Sequence, residues 1–339
     1  MLENELINDL QDPASLPEPT KRVSVVQTHI SIVLIADDFV YKIKKPVNFG
    51  FLDFSTLEKR EFFCRQEVEL NRRLSRGIYL DVLPVKRAAG KYTLIPVPGD
   101  AVEYAVKMKR IPESYLMKTV FEKGLITHRH LEEIASVLAE FHGVALRNEE
   151  IEQFGFPERF KVNTDENFDQ VKKYIGKTIS RNAFEQISQW TDIFYRNNNA
   201  LFHERIRRGR IRDCHGDLHM EHICLMEGLP IIDCIEFNER FRYGDTVADI
   251  AFLLMDLEYH GGGDLAQTLW TAYKSLAGEG GVDRLLVFYK VYRAFVRGKV
   301  NSFQLDDPSI DSREKSAAVE RAQKYFELAR TYVQEGECL

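Results

Sequence analysis

Cys214-His215-Gly216-Asp217-Leu218-His219-Met220-Glu221-His222 is the stretch that decides the reading of this chain. Two short apolar runs follow it, 222–226 (HICLM) and 229–235 (LPIIDCI). They flank a turn at Glu227-Gly228 and read as a hairpin. The second run carries Asp233, sixteen positions after Asp217, and continues into Glu236-Phe237-Asn238. Gly244-Asp245 and Asp249 come next, at the start of an apolar segment that reads as a helix over 245–259. A lone Asp is ordinarily surface charge. Three elements in a fixed order carry more information than any one of them.

Upstream, the first third of the chain reads β-β-β-α-β-β. The runs 23–27 (VSVVQ), 29–35 (HISIVLI) and 39–45 (FVYKIKK) are rich in β-branched residues, and Ala36-Asp37-Asp38 turns between the last two. Ser55 or Thr56 is placed to cap a helix over 57–75 with apolar positions at Phe62, Phe63, Leu70 and Leu74. Strand character returns over 78–111, with Gly90 and Pro98-Gly99 at the turns. The pattern then changes. Leu131, Ile134, Ala135, Leu138 and Phe141 repeat at helical spacing, which predicts a helix over 129–142. Residues 165–207 read as polar and helical, and 264–277, 282–300 and 311–334 as further helices. His142, at the end of its helix, reads as a structural histidine. The expected boundary between a small α+β part and a larger helical part falls near 108–113.

The 339 residues suggest about two domains, or two lobes sharing a cleft. Charged residues make up 29% and aromatics 11%, a balance that excludes a disordered chain. The formal net charge of −6 argues against nucleic acid or an anionic membrane as the main partner. The apolar run at 250–257 is short and interrupted by Asp256, so no membrane span is expected. The start, MLENELINDLQDP, lacks a charged-then-apolar signal pattern. Five cysteines, spread widely and with no CxxC, fit a reduced, cytoplasmic protein.

The order HGDLH, an apolar run ending in Asp233, and then Gly244-Asp245 to Asp249 closely resembles the catalytic core of the aminoglycoside phosphotransferase-like kinases. That superfamily includes choline and other small-molecule kinases and is related to the protein kinases. The resemblance implies an α+β, bilobal protein kinase-like fold with a small β-rich N-lobe and a larger helical C-lobe. Residues 1–20 would be an N-terminal extension, 21–107 the nucleotide-binding N-lobe, 108–113 the hinge and 114–339 the C-lobe, with the site between the lobes. The stretch from Thr28 to Leu74, with CHGDLH and IIDCIEFNERFRYGD, is also similar to a narrower bacterial group, some of whose members are fused to a P-loop ATPase domain. No GxxxxGK[ST] is present, so a stand-alone version is expected.

The resemblance implies ATP and Mg²⁺ as nucleotide and metal, and a small-molecule hydroxyl as acceptor. Phosphoryl transfer rests on positioning and charge neutralisation. Asp217 would take the proton of the acceptor hydroxyl and His215 would brace its loop. Asp233 would hold Mg²⁺. Asp249 would tie loops together through backbone N–H groups. Where the family usually has Asn as a second metal ligand, this chain has His222. Imidazole suits softer metals than Mg²⁺, so either the second metal is lost, or an oxygen of Glu221, Glu236 or Asn238 replaces that ligand, or His222 binds another metal. Lys42 and Lys44 share one face of their strand. One of them would contact the phosphates, paired with Glu67 or Glu69 on the next helix, with Lys42 and Glu67 the expected pair. The turn at 27–31 has no glycine, so its phosphate contacts would come from N–H groups and the Thr28 or Ser31 hydroxyls. Met108 would pack on adenine, and the backbone at Lys109 and Ile111 would hydrogen-bond it. Aminoglycosides are one candidate acceptor class.

Two other readings compete. His215, Asp217, His219, His222 and Asp233 can be taken as ligands of a metal-dependent hydrolase, with sulfur from Cys214 and Cys224. That reading leaves the lysine strand and the glutamate helix without a role. Alternatively, the glycine-free turn and His222 fit a nucleotide-binding module without catalysis, which would not need a proton acceptor at Asp217.

Overall fold

Alternation of apolar and polar residues builds the sheet, and a longer apolar period builds the helices, in a computed structural model that describes residues 2–308 and 310–338. The chain divides into two compact units. The first comprises Met1–Leu125 with Glu221–Glu239, and the second Ile126–Met220 with Arg240–Leu339.

The first unit opens with helix α1 (Leu2–Leu10). Strands β1 (Ser24–Gln27), β2 (Ser31–Ile35) and β3 (Phe39–Lys44) lead to helix α2 (Leu57–Asn71). Strands β4 (Tyr79–Ala88), β5 (Lys91–Thr93) and β6 (Glu103–Lys109) complete an antiparallel sheet of order β1-β2-β3-β6-β4-β5, and helix α3 (Met117–Glu122) follows. The alternation within β3 separates two faces. Tyr41 and Ile43 enter a core with Ile32, Leu34, Val85, Ala105 and Leu10. Lys42, opposite Val106 on β6, projects to the face on which Cys64 and Val68 of α2 pack. Thr56 rather than Ser55 caps α2, its side chain accepting from the Lys59 N–H at 3.3 Å.

The second unit is helical, with α4 (His128–Val144), α5 (Glu149–Glu152), α6 (Pro157–Val171) and α7 (Arg181–Arg207). Strand β7 (Ile211–Asp213) pairs antiparallel with β8 (Tyr243–Asp245), which follows the short helix α8 (Glu239–Arg242). Helices α9 (Thr246–Tyr259), α10 (Gly263–Leu276), α11 (Asp283–Phe303) and α12 (Ser312–Glu337) complete it. Every residue of α9 from Thr246 to Leu257 is buried, as in a helix surrounded by others.

Two expectations gain detail. Residues 165–207 are mostly helical, divided between the end of α6 and α7. Gly176 adopts a left-handed φ of 84°, and its N–H closes a turn on the Ile179 carbonyl at 2.8 Å. Ser180 then caps α7 by accepting from the Ala183 N–H at 3.1 Å. The 222–235 segment folds back as expected, but a single bridge, Ile223 to Ile231, replaces a regular ladder. Among the described residues no helix is long and apolar enough to cross a membrane. None of the five cysteines, all among the described residues, is in a disulfide.

Gly298 tests the packing of α11 against α12. A Cβ there would meet the Phe326 ring at 2.7 Å. Gly298→Ala is therefore expected to lose about 1–3 kcal/mol by overpacking, although alanine in an open helix gains about 1 kcal/mol. Denaturant unfolding decides the sign, and a more stable variant would contradict the close contact.

Candidate active site

In the first unit, three carboxylates and two ammonium groups converge. Glu67, fully buried on α2, takes Lys42 Nζ at 2.9 Å on one oxygen and Lys44 Nζ at 2.6 Å on the other. Both lysines of the β3 face thus reach Glu67, whereas Glu69 is exposed, turned away by helical geometry. The lysines then part. Lys42 Nζ also lies 2.7 Å from Asp233 Oδ1. Lys44 pairs with Glu236, placing that expected metal ligand on a lysine, and stands over the Phe54 ring. Burial works against charge on Lys42, yet Asp233, Glu67 and Glu236 raise its pKa well above the ordinary lysine value. Burial likewise opposes ionisation of Glu67, and the two lysines overcome it, so its pKa is lowered. For Glu236 burial prevails over Lys44 and its pKa is raised.

Asp233 has a left-handed backbone, φ 62°, and its side chain is 42% exposed. Its N–H donates to the Tyr79 hydroxyl at 3.1 Å, and the next N–H, of Cys234, to Asn71 Oδ1 at 2.9 Å. Asn71 Nδ2 in turn donates to the Glu67 carbonyl at 2.8 Å. Asn71 and Tyr79 are positioning residues that the sequence analysis missed. The available signal was the i, i+4 spacing of Glu67 and Asn71 on one helix face. His222 Nε2 lies 3.5 Å from Asp233 Oδ2. A hard divalent cation takes oxygen ligands, so the accessible Asp233 carboxylate fits it and the His222 imidazole fits a softer ion better. Asn238 Nδ2 donates to the Phe51 carbonyl at 2.8 Å.

The turn between β1 and β2 is closed by Thr28 itself. Its Oγ1 accepts the N–H groups of Ser31 at 3.0 Å and Ile30 at 3.3 Å. The N–H groups of Ile30 and Ser31 are therefore taken up within the turn. Ser31 Oγ is buried with no hydrogen-bond partner. Met108 and Lys109 end β6, and the Lys109 N–H donates to the Ile78 carbonyl at 2.9 Å. Ile111 packs at the edge of the apolar cluster around Cys64 and Val106.

In the second unit the HGD segment leaves β7 and hangs from one face of α9. Asp249 accepts the N–H groups of His215 at 2.9 Å and Gly216 at 2.8 Å. Two turns on, Asp256 accepts the Met220 N–H at 3.0 Å, and the Phe252 ring between them meets the His219 ring at 5.6 Å. From α11, Arg293 Nη1 donates to the Gly216 carbonyl at 2.9 Å. His215 is wholly buried, and its Nδ1 accepts the Asp217 N–H at 3.3 Å. The loop backbone is thereby fixed while the Asp217 side chain stays 36% exposed. His219 Nε2 lies 3.5 Å from Asp217 Oδ2. Burial disfavours the charged His219 ring, but Asp217 outweighs it and raises the pKa.

Asp249 is held further by His142, whose Nε2 lies 3.2 Å from Oδ2 and whose Nδ1 lies 2.7 Å from the Tyr273 hydroxyl. The ionised carboxylate can only accept, so Nε2 carries the proton and Tyr273 donates to Nδ1. Cys214 joins His142 and Asp249 with donor atoms within 4.8 Å of one another, but both Asp249 oxygens already accept hydrogen bonds from the loop. Behind the helix start, Arg205 clamps the α9 cap Asp245, Nε to Oδ2 at 2.8 Å and Nη2 to Oδ1 at 2.7 Å.

The chain matches the phosphotransferase enzyme family over residues 64–285. It is 33% identical over 313 residues to uncharacterized proteins of Mycobacterium tuberculosis and Mycobacterium bovis, covering 92% of this chain and 60% of theirs. The chain thus spans about 60% of the length of these curated relatives. Solved structures share the fold. A choline/ethanolamine kinase family protein from Mesorhizobium loti aligns with a TM-score of 0.53 at 15% identity, covering 99% of this chain and 100% of that one. For a putative aminoglycoside phosphotransferase from Ralstonia eutropha the TM-score is 0.55 at 12% identity, with 99% and 98% coverage. The amicoumacin kinase hAmiN, in complex with AMP-PNP, Ca²⁺ and Ami, gives 0.57 at 13% identity, with 96% and 95% coverage.

The paired N–H groups make Asp249 the keystone of its loop. Burial would raise its pKa, but His142, then His215 and Arg293, hold it below the ordinary value of 3.8. A depressed carboxylate stabilises the fold fully above its unfolded pKa and loses that contribution as pH falls through the folded one. Asp249→Asn turns an amide toward two N–H donors and should cost about 3–5 kcal/mol near neutrality. The gap to the parent protein should narrow in unfolding titrations below pH 3.8. A gap independent of pH would count against the ionised-carboxylate account.

Proposed function

The chain belongs to the phosphotransferase enzyme family, and from that premise we propose that it is an ATP-dependent kinase acting on a hydroxyl of a small molecule. The observation that carries this reading is the cluster in which Lys42 joins Glu67 to Asp233. An ammonium held between a buried glutamate and an accessible aspartate is suited to grip phosphates next to a metal-binding carboxylate. Asp233 would hold the divalent metal, with His222 beside its second oxygen. That ion, when bound, would neutralise phosphate charge. Lys44 and Glu236 would keep Glu67 in place from the buried side. The Thr28–Ser31 turn would cover the phosphates. Met108 and the Ile111 backbone would receive adenine, since the Lys109 N–H already bonds Ile78.

Asp217 would orient the acceptor hydroxyl and take its proton. The hydroxyl oxygen forms a bond to the γ-phosphorus as the bond from that phosphorus to the bridging oxygen breaks, and ADP leaves. His215 holds the Asp217 N–H, so the base is presented on a fixed loop. The complex of amicoumacin kinase with AMP-PNP and Ca²⁺ supports nucleotide and divalent-cation use by this fold. Five cysteines outside any disulfide suit a reducing, cytoplasmic setting.

Nucleotide with Mg²⁺ should raise the melting temperature of the protein, and ADP release should accompany a suitable acceptor. Asp217→Ala should lower turnover about 10²–10⁴-fold and keep the nucleotide-induced shift. Lys42→Met should lose most of that shift. Nucleotide binding without ADP release from any acceptor, in parent and variant alike, would replace catalysis by a binding role. No shift with ATP, ADP or GTP would overturn the reading.

A further inference from the structure

An acceptor whose hydroxyl reaches Asp217 meets the side chains around that residue in the helical unit. Their charge is informative. Helix α11 presents Arg293 and Arg297 four residues apart on one face. Arg293 is committed, with Nη1 on the Gly216 carbonyl at 2.9 Å and Nε on the Ala248 carbonyl at 3.2 Å. Arg297 is committed only in part. Its guanidinium lies 5.6 Å from the Tyr325 ring centre and hydrogen-bonds the Tyr325 side chain, while its Nε is buried with no hydrogen-bond partner. Burial alone would lower the Arg297 pKa, but Tyr325, Asp217 and Asp256 raise it, so the group stays charged one helical turn from Arg293, which bonds the Gly216 carbonyl beside Asp217.

Other arginines of this unit have their acceptors. Arg321 bonds Asn301, Gln304 and Glu314; Arg205 holds Asp245 and Glu279; Arg240 holds Glu166. The carboxylates near Arg297 are also assigned. Asp217 is the proposed base. Asp256 takes the Met220 N–H at 3.0 Å and has His260 at 3.7 Å. Glu258, farther along the helix that carries Asp256, is held by Lys290 and Tyr332. A substrate ammonium would find no such carboxylate to spare among them, while a substrate anion would find a guanidinium edge in need of an acceptor. The stacked Tyr259 and Tyr325 rings, 3.7 Å apart, form an apolar wall beside it.

We propose that Arg297 is the anion-recognition residue of the acceptor site, and that the acceptor is a hydroxy compound carrying a carboxylate or a phosphate rather than an amino sugar. This rests on the kinase reading and names its substrate class. The guanidinium fork takes either anion side-on, and the phosphate-gripping lysines belong to the other unit, so the transferred group and the acceptor anion have separate cations.

The test is ADP release with ATP and Mg²⁺ across glycerate, gluconate, glycerol 3-phosphate and glucose 6-phosphate, against glucose, glucosamine and an aminoglycoside. Melting-temperature shifts are read in parallel with each compound alone. The acids or the phosphates should be turned over or should stabilise the protein, and the two arms identify which anion is used. Arg297→Gln should raise the acceptor KM about ten-fold or more while leaving the ATP KM unchanged, and Arg297→Lys should recover part of the loss. Preference for glucosamine or the aminoglycoside, neither turnover nor a shift with any anion, or an Arg297→Gln variant that loses kcat at unchanged acceptor KM would each overturn the inference. The first and last of these leave the kinase reading standing. Loss of the nucleotide-induced shift in the parent protein would overturn both.

Discussion

A carboxylate taken out of water must be met on both oxygens by opposite charge or N–H groups, and Glu67 and Asp249 impose that demand on the two units. Glu67 satisfies it with two lysines from one strand face. Asp249 satisfies it with two consecutive backbone N–H groups and an imidazole. The difference in donor type produces a difference in role. Lysine ammonium groups are long, and Lys42 reaches past Glu67 to the accessible Asp233. Backbone N–H groups are part of the loop itself, so Asp249 fixes the path of the chain leading into Asp217.

The fixed loop and the open side chain are two consequences of one arrangement. Asp249, Phe252 and Asp256 lie on one face of α9, and each meets a different part of the 215–220 segment. The interactions fall on the backbone of residues 215, 216 and 220 and on the His219 ring. Asp217, in the middle, is left to present its carboxylate. In the proposed role of base, Asp217 would accept a proton on a loop already held in place, which is what pre-organisation contributes to a reaction. The cost is carried by buried charge. Asp245 and Arg205 behind the start of α9 show the same economy, with a helix cap that is also an ion-pair partner.

Much of this was legible in the sequence because it depends on local period. The alternation of β3 placed Lys42 and Lys44 on one side, and the apolar period announced α4 and α9. The ordered HGD, Asp233 and Asp249 elements carried the family resemblance. Choices that depend on tertiary distance were not legible. Glu67 and Glu69 are equivalent in composition, and only the position of α2 over the Val106 face separates them. Glu236 reads as an oxygen ligand in a motif, but its strand of contacts ends on Lys44. Asn71, Tyr79, Arg293 and Asp256 act on residues far from them in sequence; the i, i+4 spacing puts Asn71 on the Glu67 face, but it does not show that Asn71 will bond the backbone N–H at position 234.

Asp233 shows how a strained position is made affordable. An L residue at φ 62° carries an energetic cost of about 1–2 kcal/mol, and aspartate bears it better than most residues. Two hydrogen bonds enforce it, one from its own N–H to Tyr79 and one from the Cys234 N–H to Asn71. The left-handed turn redirects the chain after the apolar run 229–232, so that the Asp233 carboxylate meets Lys42 while the backbone stays bonded to β4 and α2. Relaxing the residue to an ordinary extended conformation would keep the apolar run and lose the aim of the carboxylate. The strain therefore sits where the unit converts packing into charge placement, and Asn71 links it to the same helix that carries Glu67.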